Sequence, residues 1–364
     1  MTVRDVFNAH LAARGYSADA SQLSALQRLQ RLEDDWRAYK RQRSNALKKL
    51  LARPPVPRGV YLWGGVGRGK SFLMDAFFAT VPVLRKTRLH FHEFMRSVHR
   101  ELDDVKGMQD PLDEVARRIA RRHRLVCFDE FHVSDIADAM ILHRLLSKLF
   151  ELNIGFVMTS NYAPDQLYPD GLHRDRLLPA IDLLNERLDV VQVESGIDYR
   201  QRAMENIEAY LTPWGPTAEA ALAGAFERIA EAEDDDPTLE IEARRIRARR
   251  RAGGVVWFDF AVLCGGPRSH ADYLEIAAQF HTVLLSNIPR MSAGQASEAR
   301  RFTWLVDVLY DHRVKLLASA EAAPIELYTA GALSNEFART ASRLTEMQSR
   351  EYLDAPRRAV VQRV

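Results

Sequence analysis

The chain has 364 residues, 47% of them hydrophobic, and a formal net charge of +2. That is enough chain for two domains, or one large domain with appendages, and enough apolar content for real cores; the near-neutral balance supplies no global basic field for DNA, RNA or an anionic membrane. The two cysteines, Cys127 and Cys264, lie inside apolar runs and read as buried thiols of a reducing compartment, which excludes a disulfide framework and a Cys-based zinc site.

No apolar run approaches the roughly 18 residues of a membrane span, so no integral membrane segment is expected. Asp5 comes early and no apolar h-region follows it, which argues against a secretory signal or a transit peptide and for a cytoplasmic protein. Residues 1–53 are expected to form an N-terminal helical segment, since apolar residues recur at three- and four-residue spacing from Leu23 to Trp36. Arg53-Pro54-Pro55-Val56-Pro57 breaks that pattern and opens an expected nucleotide-binding core over 54–212.

The core begins with an apolar run, Gly59 to Trp63, that reads as a buried strand. It feeds Gly64-Gly65-Val66-Gly67-Arg68-Gly69-Lys70-Ser71, a complete G-x-x-x-x-G-K-[ST] phosphate-binding loop, and a helix is expected from Ser71 to Phe78. The glycines let backbone N–H groups approach a triphosphate closely. Lys70 is placed to reach the β- and γ-phosphates, and Ser71 to set its hydroxyl on Mg²⁺. Next come His90, His92, Glu93 and His99. Their spacing is not H-E-x-x-H, so a strand end with a following helix stands against a metal site.

Arg124 to Glu130 is a second apolar strand, ending in two carboxylates. An acid at the carboxyl end of a parallel strand faces the ligand crevice. Asp129 is the candidate to hold Mg²⁺ through its water shell, and Glu130 to polarise the attacking water. A third strand, Ile154 to Ser160, stops at Asn161, which is either a γ-phosphate sensor or an Asx-turn before Pro164. Arg174 and Arg176 follow. Each is either a finger for a neighbouring subunit's γ-phosphate or a solvated surface arginine. Strands alternating with helices from 59 to 193 predict an α/β fold with a mostly parallel sheet.

Pro213-Trp214-Gly215-Pro216 breaks the chain again and opens a C-terminal region over 213–364. Glu231 to Asp236 is expected to be a solvated loop. Leu239-Glu240-Ile241-Glu242 and Val255 to Phe260 alternate as strands do, and the arginine-rich run Arg244 to Arg251 lies between them. This reads as a basic β-hairpin over about 237–262, with either a solvated cationic face or a docking strip for an acidic partner or nucleic acid. Residues 149–168 also align without a gap on 309–328, at an offset of 160. Leu149, Ala163, Pro164, Leu167 and Tyr168 recur as Leu309, Ala323, Pro324, Leu327 and Tyr328, with Glu321 where the first segment has Asn161. A strand-helix-strand unit is therefore expected over 282–320. A decayed duplicate and chance convergence of two ordinary units both account for it.

The strings GGVGRGKS (64–71), CFDEFHVSDIADAMIL (127–142), TSNYAPDQLYPDGLHRDRLLPAI (159–181), ARRFTWLVDVLYDHRVKLLASA (299–320) and FARTASRLTEMQSREYL (337–353) closely resemble the ZapE/AFG-type ATPases, a branch of the AAA+ proteins. The likeness runs from about Gly15 to Tyr352. It implies a P-loop, AAA+-like three-layer sandwich and an oligomeric Mg-ATPase, with ATP held by residues 64–71, Mg²⁺ by Ser71 and Asp129, water by Glu130, and Asn161 as first sensor. Arg174 is the better finger by this likeness and Arg176 the more variable position. A second sensor arginine is not placed among Arg300, Arg301, Arg339 and Arg343. Bacterial members act on the tubulin-like FtsZ polymer at the division site, and mitochondrial relatives serve inner-membrane protein quality control. The absent transit peptide favours the bacterial branch, and hence a client such as FtsZ. No guanine-reading N-K-x-D string is present, so ATP is preferred to GTP. A nucleic-acid loader or translocase is the rival reading, supported by the arginine hairpin alone. A non-hydrolysing switch is argued against by the intact Asp129-Glu130 pair.

Overall fold

The computed structural model describes residues 1–13, 17–43, 54–65, 68–133, 136–169, 173–194, 207–230, 236–242, 244–331 and 333–358. The chain divides into two compact units, residues 1–199 and 200–364.

The first unit runs α1 (Val3–Ala13), α2 (Ala20–Gln42), β1 (Gly59–Trp63), α3 (Lys70–Thr80), β2 (Lys86–His90), α4 (Phe91–Asp104), α5 (Pro111–Arg122), β3 (Leu125–Asp129), α6 (Ile136–Glu151), β4 (Gly155–Ser160), α7 (Leu178–Arg187) and β5 (Leu188–Gln192). Its five strands are parallel, in the order β2-β3-β4-β1-β5. Successive strand residues point to opposite faces, so the central strands feed two cores. Tyr61, Val126 and Phe128 pack with α4 to α7, while Val60, Leu62, Leu125 and Cys127 pack with α1, α2 and α3. Helices on both faces of a parallel sheet make the expected three-layer α/β sandwich.

The N-terminal helices share this second core through Val3, Phe7, Leu29 and Trp36, so the segment expected at 1–53 lies within the first unit. Phe128 is fully buried and its ring lies 4.8 to 5.8 Å from those of Phe91, Phe94 and Phe156. Burial of such a side chain contributes about 1.5–3 kcal/mol. Burial also pushes the Cys127 thiol up to about 12 and raises that of Cys264.

The second unit contains β6 (Tyr210–Leu211), α8 (Pro216–Ile229), β7 (Thr238–Ile241), β8 (Arg244–Arg247), β9 (Arg250–Ala252), β10 (Val255–Asp259), α9 (His270–Gln279), β11 (Thr282–Ile288), α10 (Ala296–Asp311), β12 (Lys315–Ala320), α11 (Ser334–Glu346) and α12 (Arg350–Asp354). Its main sheet has the order β6-β12-β11-β10-β9, parallel except for β9. The strand-helix-strand unit expected over 282–320 is present as β11-α10-β12. Tyr210–Leu211 already belongs to this sheet through its pairing with β12, so the core expected over 54–212 gives up its last residues to the second unit.

The expected basic hairpin is two antiparallel pairs, β7-β8 and β9-β10. Most of its arginines are spoken for. Arg244 pairs with Asp272. Arg249 lies 2.8 Å from Glu219 and stacks over Trp257. Arg250 lies 2.6 Å from Glu227 and stacks over Phe226, and Arg251 is buried over Phe280. Among the described residues no helix is long and apolar enough to cross a membrane.

Candidate functional site

β4 is inserted between β1 and β3. The loop leaving β1, the carboxylates ending β3 and Asn161 after β4 therefore meet along one edge of the sheet, at the carboxyl ends of the strands. Two glycines explain the path of the loop. Gly64 has φ +153°, and a Cβ there would run into the Val193 carbonyl. Gly69 has φ +79° and precedes α3, and a Cβ there would lie 2.6 Å from Gln22 Nε2. No side chain caps α3, so its first N–H groups remain available to an anion.

Lys70 opens α3 and is only 8% exposed. Its Nζ donates to Gly64 O at 2.8 Å, Gly65 O at 2.7 Å and Asn161 Oδ1 at 3.1 Å. The expected loop lysine and the expected sensor are thus in direct contact. Ser71 follows in the first turn of α3, partly exposed. Arg68 offers its carbonyl to Gln22 Nε2 at 2.9 Å. Val66 and Gly67 lie outside the described residues.

Asp129 ends β3 and is 8% exposed. Glu130 follows with φ +50°, a left-handed turn held by two bonds to β4: Glu130 N–H to Thr159 Oγ1 at 3.2 Å and Phe131 N–H to Thr159 O at 2.7 Å. Arg88, in the middle of β2, grips Asp129 with two donors, Nε to Oδ2 at 2.5 Å and Nη2 to Oδ1 at 3.2 Å. Its remaining arm pairs with Asp75 on α3. Burial alone would lower the Arg88 pKa, but the Asp129 and Asp75 carboxylates outweigh it and hold the guanidinium firmly charged. An expected result follows. Arg88→Met strands two buried carboxylates without a counter-charge, and breaking such a pair costs about 3–5 kcal/mol. A urea melt should show the midpoint falling accordingly, and an unchanged midpoint would mean that the triad does not hold α3 to β3.

Arg174 and Arg176 lie in the short helical turn Arg174–Arg176. Arg174 is half-buried and its Nη2 donates to Asp165 O at 2.7 Å, while Arg176 is largely exposed and lies 3.6 Å from Asp175. The four second-sensor candidates belong to the second unit. There Arg301 donates to Cys264 O and Arg339 and Arg343 pair with Asp307, while Arg300 is exposed. The His90 and His92 rings are 5.8 Å apart, and His99 instead meets Asp138 at 2.8 Å. Among the described residues no three of His, Cys, Asp and Glu gather as a metal-ligand cluster.

Sequence reasoning missed Gln22, Asp75, Arg88 and Thr159. One signal was available: an arginine inside a strand that must be buried needs a carboxylate. Another was the spacing of Asp19 and Gln22, which form a capping box at the start of α2 and bring Gln22 to the loop.

Residues 1–356 match the family model described as AFG1-like ATPase. The chain is 45% identical over 297 residues to the cell division protein ZapE of Escherichia coli, covering 81% of this chain and 79% of that one. It is 38% identical over 311 residues to lactation elevated protein 1 homolog B of Danio rerio, covering 81% and 62%. Similar solved structures include domain III of the replication initiation protein DnaA from Thermotoga maritima, at 14% identity and TM-score 0.37, covering 58% of this chain and 71% of that one. PCH-2 of C. elegans is another, at 12% identity and TM-score 0.30, covering 88% and 68%.

Proposed function

The chain belongs to the AFG1-like ATPase family, and from that membership we propose a Mg²⁺-dependent ATP hydrolase that assembles with copies of itself and remodels a protein client, the FtsZ polymer at the bacterial division site. The observation that carries the chemical part is the contact of Lys70 with Asn161 beside the Asp129-Glu130 strand end.

Lys70 is already desolvated and held by neutral acceptors. A triphosphate in the loop offers it charged oxygens instead, a stronger partner for an ammonium. The hard oxygen donors Ser71 and Asp129 suit Mg²⁺. Arg88 donates once to each Asp129 oxygen and Thr159 Oγ1 lies 3.5 Å from Oδ1, so Oδ2 keeps a lone pair that metal-bound water would use. When bound, the ion would neutralise charge on the β- and γ-phosphoryl oxygens. Glu130, turned out of β3 by its left-handed backbone, is the residue to orient and polarise the attacking water. Asn161, which accepts from Lys70 Nζ at 3.1 Å, would sense the γ-phosphate through its amide. Arg174, the better finger by family likeness, is assigned to a neighbour's γ-phosphate.

The client is argued from family. A relative at 45% identity is named a cell division protein, and FtsZ is the client that the likeness to bacterial members of the family implies. The nucleic-acid reading loses support, because most of its arginines are paired or stacked within the second unit. Membrane-protein quality control, the other reading that the family likeness implies, draws no support from a membrane-spanning helix among the described residues. The test is ATP turnover per chain against protein concentration, alone and with FtsZ polymer, with Lys70→Ala as the blank. The rate should climb with concentration and again with FtsZ. A rate indifferent to FtsZ would remove that client, and one indifferent to both would leave a self-contained monomeric site.

A further inference from the structure

Seven elements of the first unit recur in the second. β1, α3, β2, β3, α6, β4 and α7 are followed, in the same chain order, by β6, α8, β10, β11, α10, β12 and α11. The sheet order β2-β3-β4-β1 becomes β10-β11-β12-β6, with β7, β8 and β9 inserted before β10. The likeness extends to single hydrogen bonds. Tyr61 OH donates to Tyr162 O at 3.0 Å, and Tyr210 OH to Ala322 O at 2.7 Å. Glu130 N–H donates to Thr159 Oγ1 at 3.2 Å, and Asn287 N–H to Ser319 Oγ at 3.1 Å. Gly155 N–H meets Arg124 O at 3.0 Å, and Lys315 N–H meets His281 O at 2.9 Å. The left-handed residues recur too, with φ +50° at Glu130 and +64° at Asn287, and +60° at Asn153 and +53° at Arg313. Convergence of two ordinary βα units explains a shared strand order. It does not explain left-handed side-chain-bearing residues and tyrosine bonds at matched places, since such positions are uncommon and each is set by local sequence.

The frame also shows what has become of the chemistry. Tyr61 and Tyr210 stand 16 residues before Phe77 and Phe226, whose carbonyls accept the bonds that end α3 and α8. That ungapped spacing sets Glu219 at the place of Lys70 and Gly224 at that of Asp75. Strand register sets Trp257 at Arg88 and Ser286 at Asp129, and the matched bonds set Asn287 at Glu130 and Glu321 at Asn161. The ion pair between Arg88 and Asp129 has become a neutral bond, Trp257 Nε1–H to Ser286 Oγ at 2.8 Å. The lysine has become an acid, one oxygen of which the unit pairs itself while the other, Oε1, is buried without a hydrogen-bond partner. Glu219 lies 2.8 Å from Arg249, Asn287 Nδ2 donates to Asp259 at 2.9 Å, and Arg290 N–H donates to Glu321 at 2.7 Å. A phosphate entering this edge meets carboxylates where the first unit presents an ammonium and an amide.

We infer that the second unit is a duplicated P-loop fold whose nucleotide crevice has been charge-inverted and closed by its own side chains, so that each chain binds one nucleotide, at Lys70. The inference rests on the first crevice being the ATP site, as proposed above. It is tested by equilibrium binding of Mg²⁺ with a slowly hydrolysed ATP analogue to the full chain and to Lys70→Ala, after a thermal melt shows the variant folded. One analogue per chain, and none in Lys70→Ala, is the expected result. Photo-crosslinking with an azido-ATP should label peptides of residues 1–199 only. Two analogues per chain, or saturable binding that survives in Lys70→Ala and crosslinks to 213–330, overturns the inference. No binding by the unmodified chain would sink the first crevice as the ATP site while agreeing with a closed second one.

Discussion

Glu130→Gln should abolish turnover and leave ATP bound. The substitution keeps the shape of the side chain and the left-handed turn, which Thr159 pins from β4 through two bonds. A non-glycine residue in that conformation costs on the order of 1–3 kcal/mol and persists only where neighbours over-determine it. What the substitution removes is the charge that polarises water and takes up its proton. Positioned acid–base groups contribute about 10²–10⁴-fold, so kcat should fall by that factor. Lys70, Ser71 and Asp129 are untouched, so the nucleotide should stay on the protein through a desalting column. Unchanged kcat would remove Glu130 from the chemistry. Loss of binding together with kcat would make its role structural.

The second large effect is expected at Arg174. A finger arginine is worth about 10³–10⁵ in kcat, and Arg174→Ala should lose most of that while binding ATP normally. Within its own chain Arg174 rests on the Asp165 carbonyl, a neutral acceptor that it can exchange for a phosphate. Arg176 is 65% exposed in its side chain and pairs with adjacent Asp175, so Arg176→Ala should change kcat little. The comparison is internal, since both residues share one short turn of helix, Arg174–Arg176. Equal losses from the two variants would point to a damaged loop rather than a finger.

Much of the site was legible because it is built from short local signals. The loop at 64–71, the carboxylates closing β3 and the amide after β4 each follow an apolar run. A parallel sheet brings the carboxyl ends of such runs to one edge. For Arg88 the need for a carboxylate was legible, but not which carboxylate. Its role comes from β2 lying beside β3 and facing α3, a pairing across 41 residues to Asp129 that no local pattern encodes. Gln22 was missed for the same reason, reaching the loop across 46 residues. β6 escaped because it has only two residues, anchored by pairing to β12 rather than by strand pattern. The internal repeat was visible in sequence where α10, β12 and the turn after it keep their apolar spacing. It was invisible in β6 and α8, where the residues changed and only tyrosine, helix end and hydrogen-bond frame remain.

The central claim is that the catalytic site is completed by a second copy of the chain. The most direct test mixes two dead variants, Glu130→Gln and Arg174→Ala, and measures ATP turnover. The first has an intact finger and no base; the second has an intact pocket and no finger. A subunit boundary that pairs the pocket of Arg174→Ala with the finger of Glu130→Gln holds every required group, so turnover should return in the mixture, and rise and fall with the ratio of the two. A mixture as inactive as its parts, although the two variants are shown to co-assemble, would contradict a site shared between subunits.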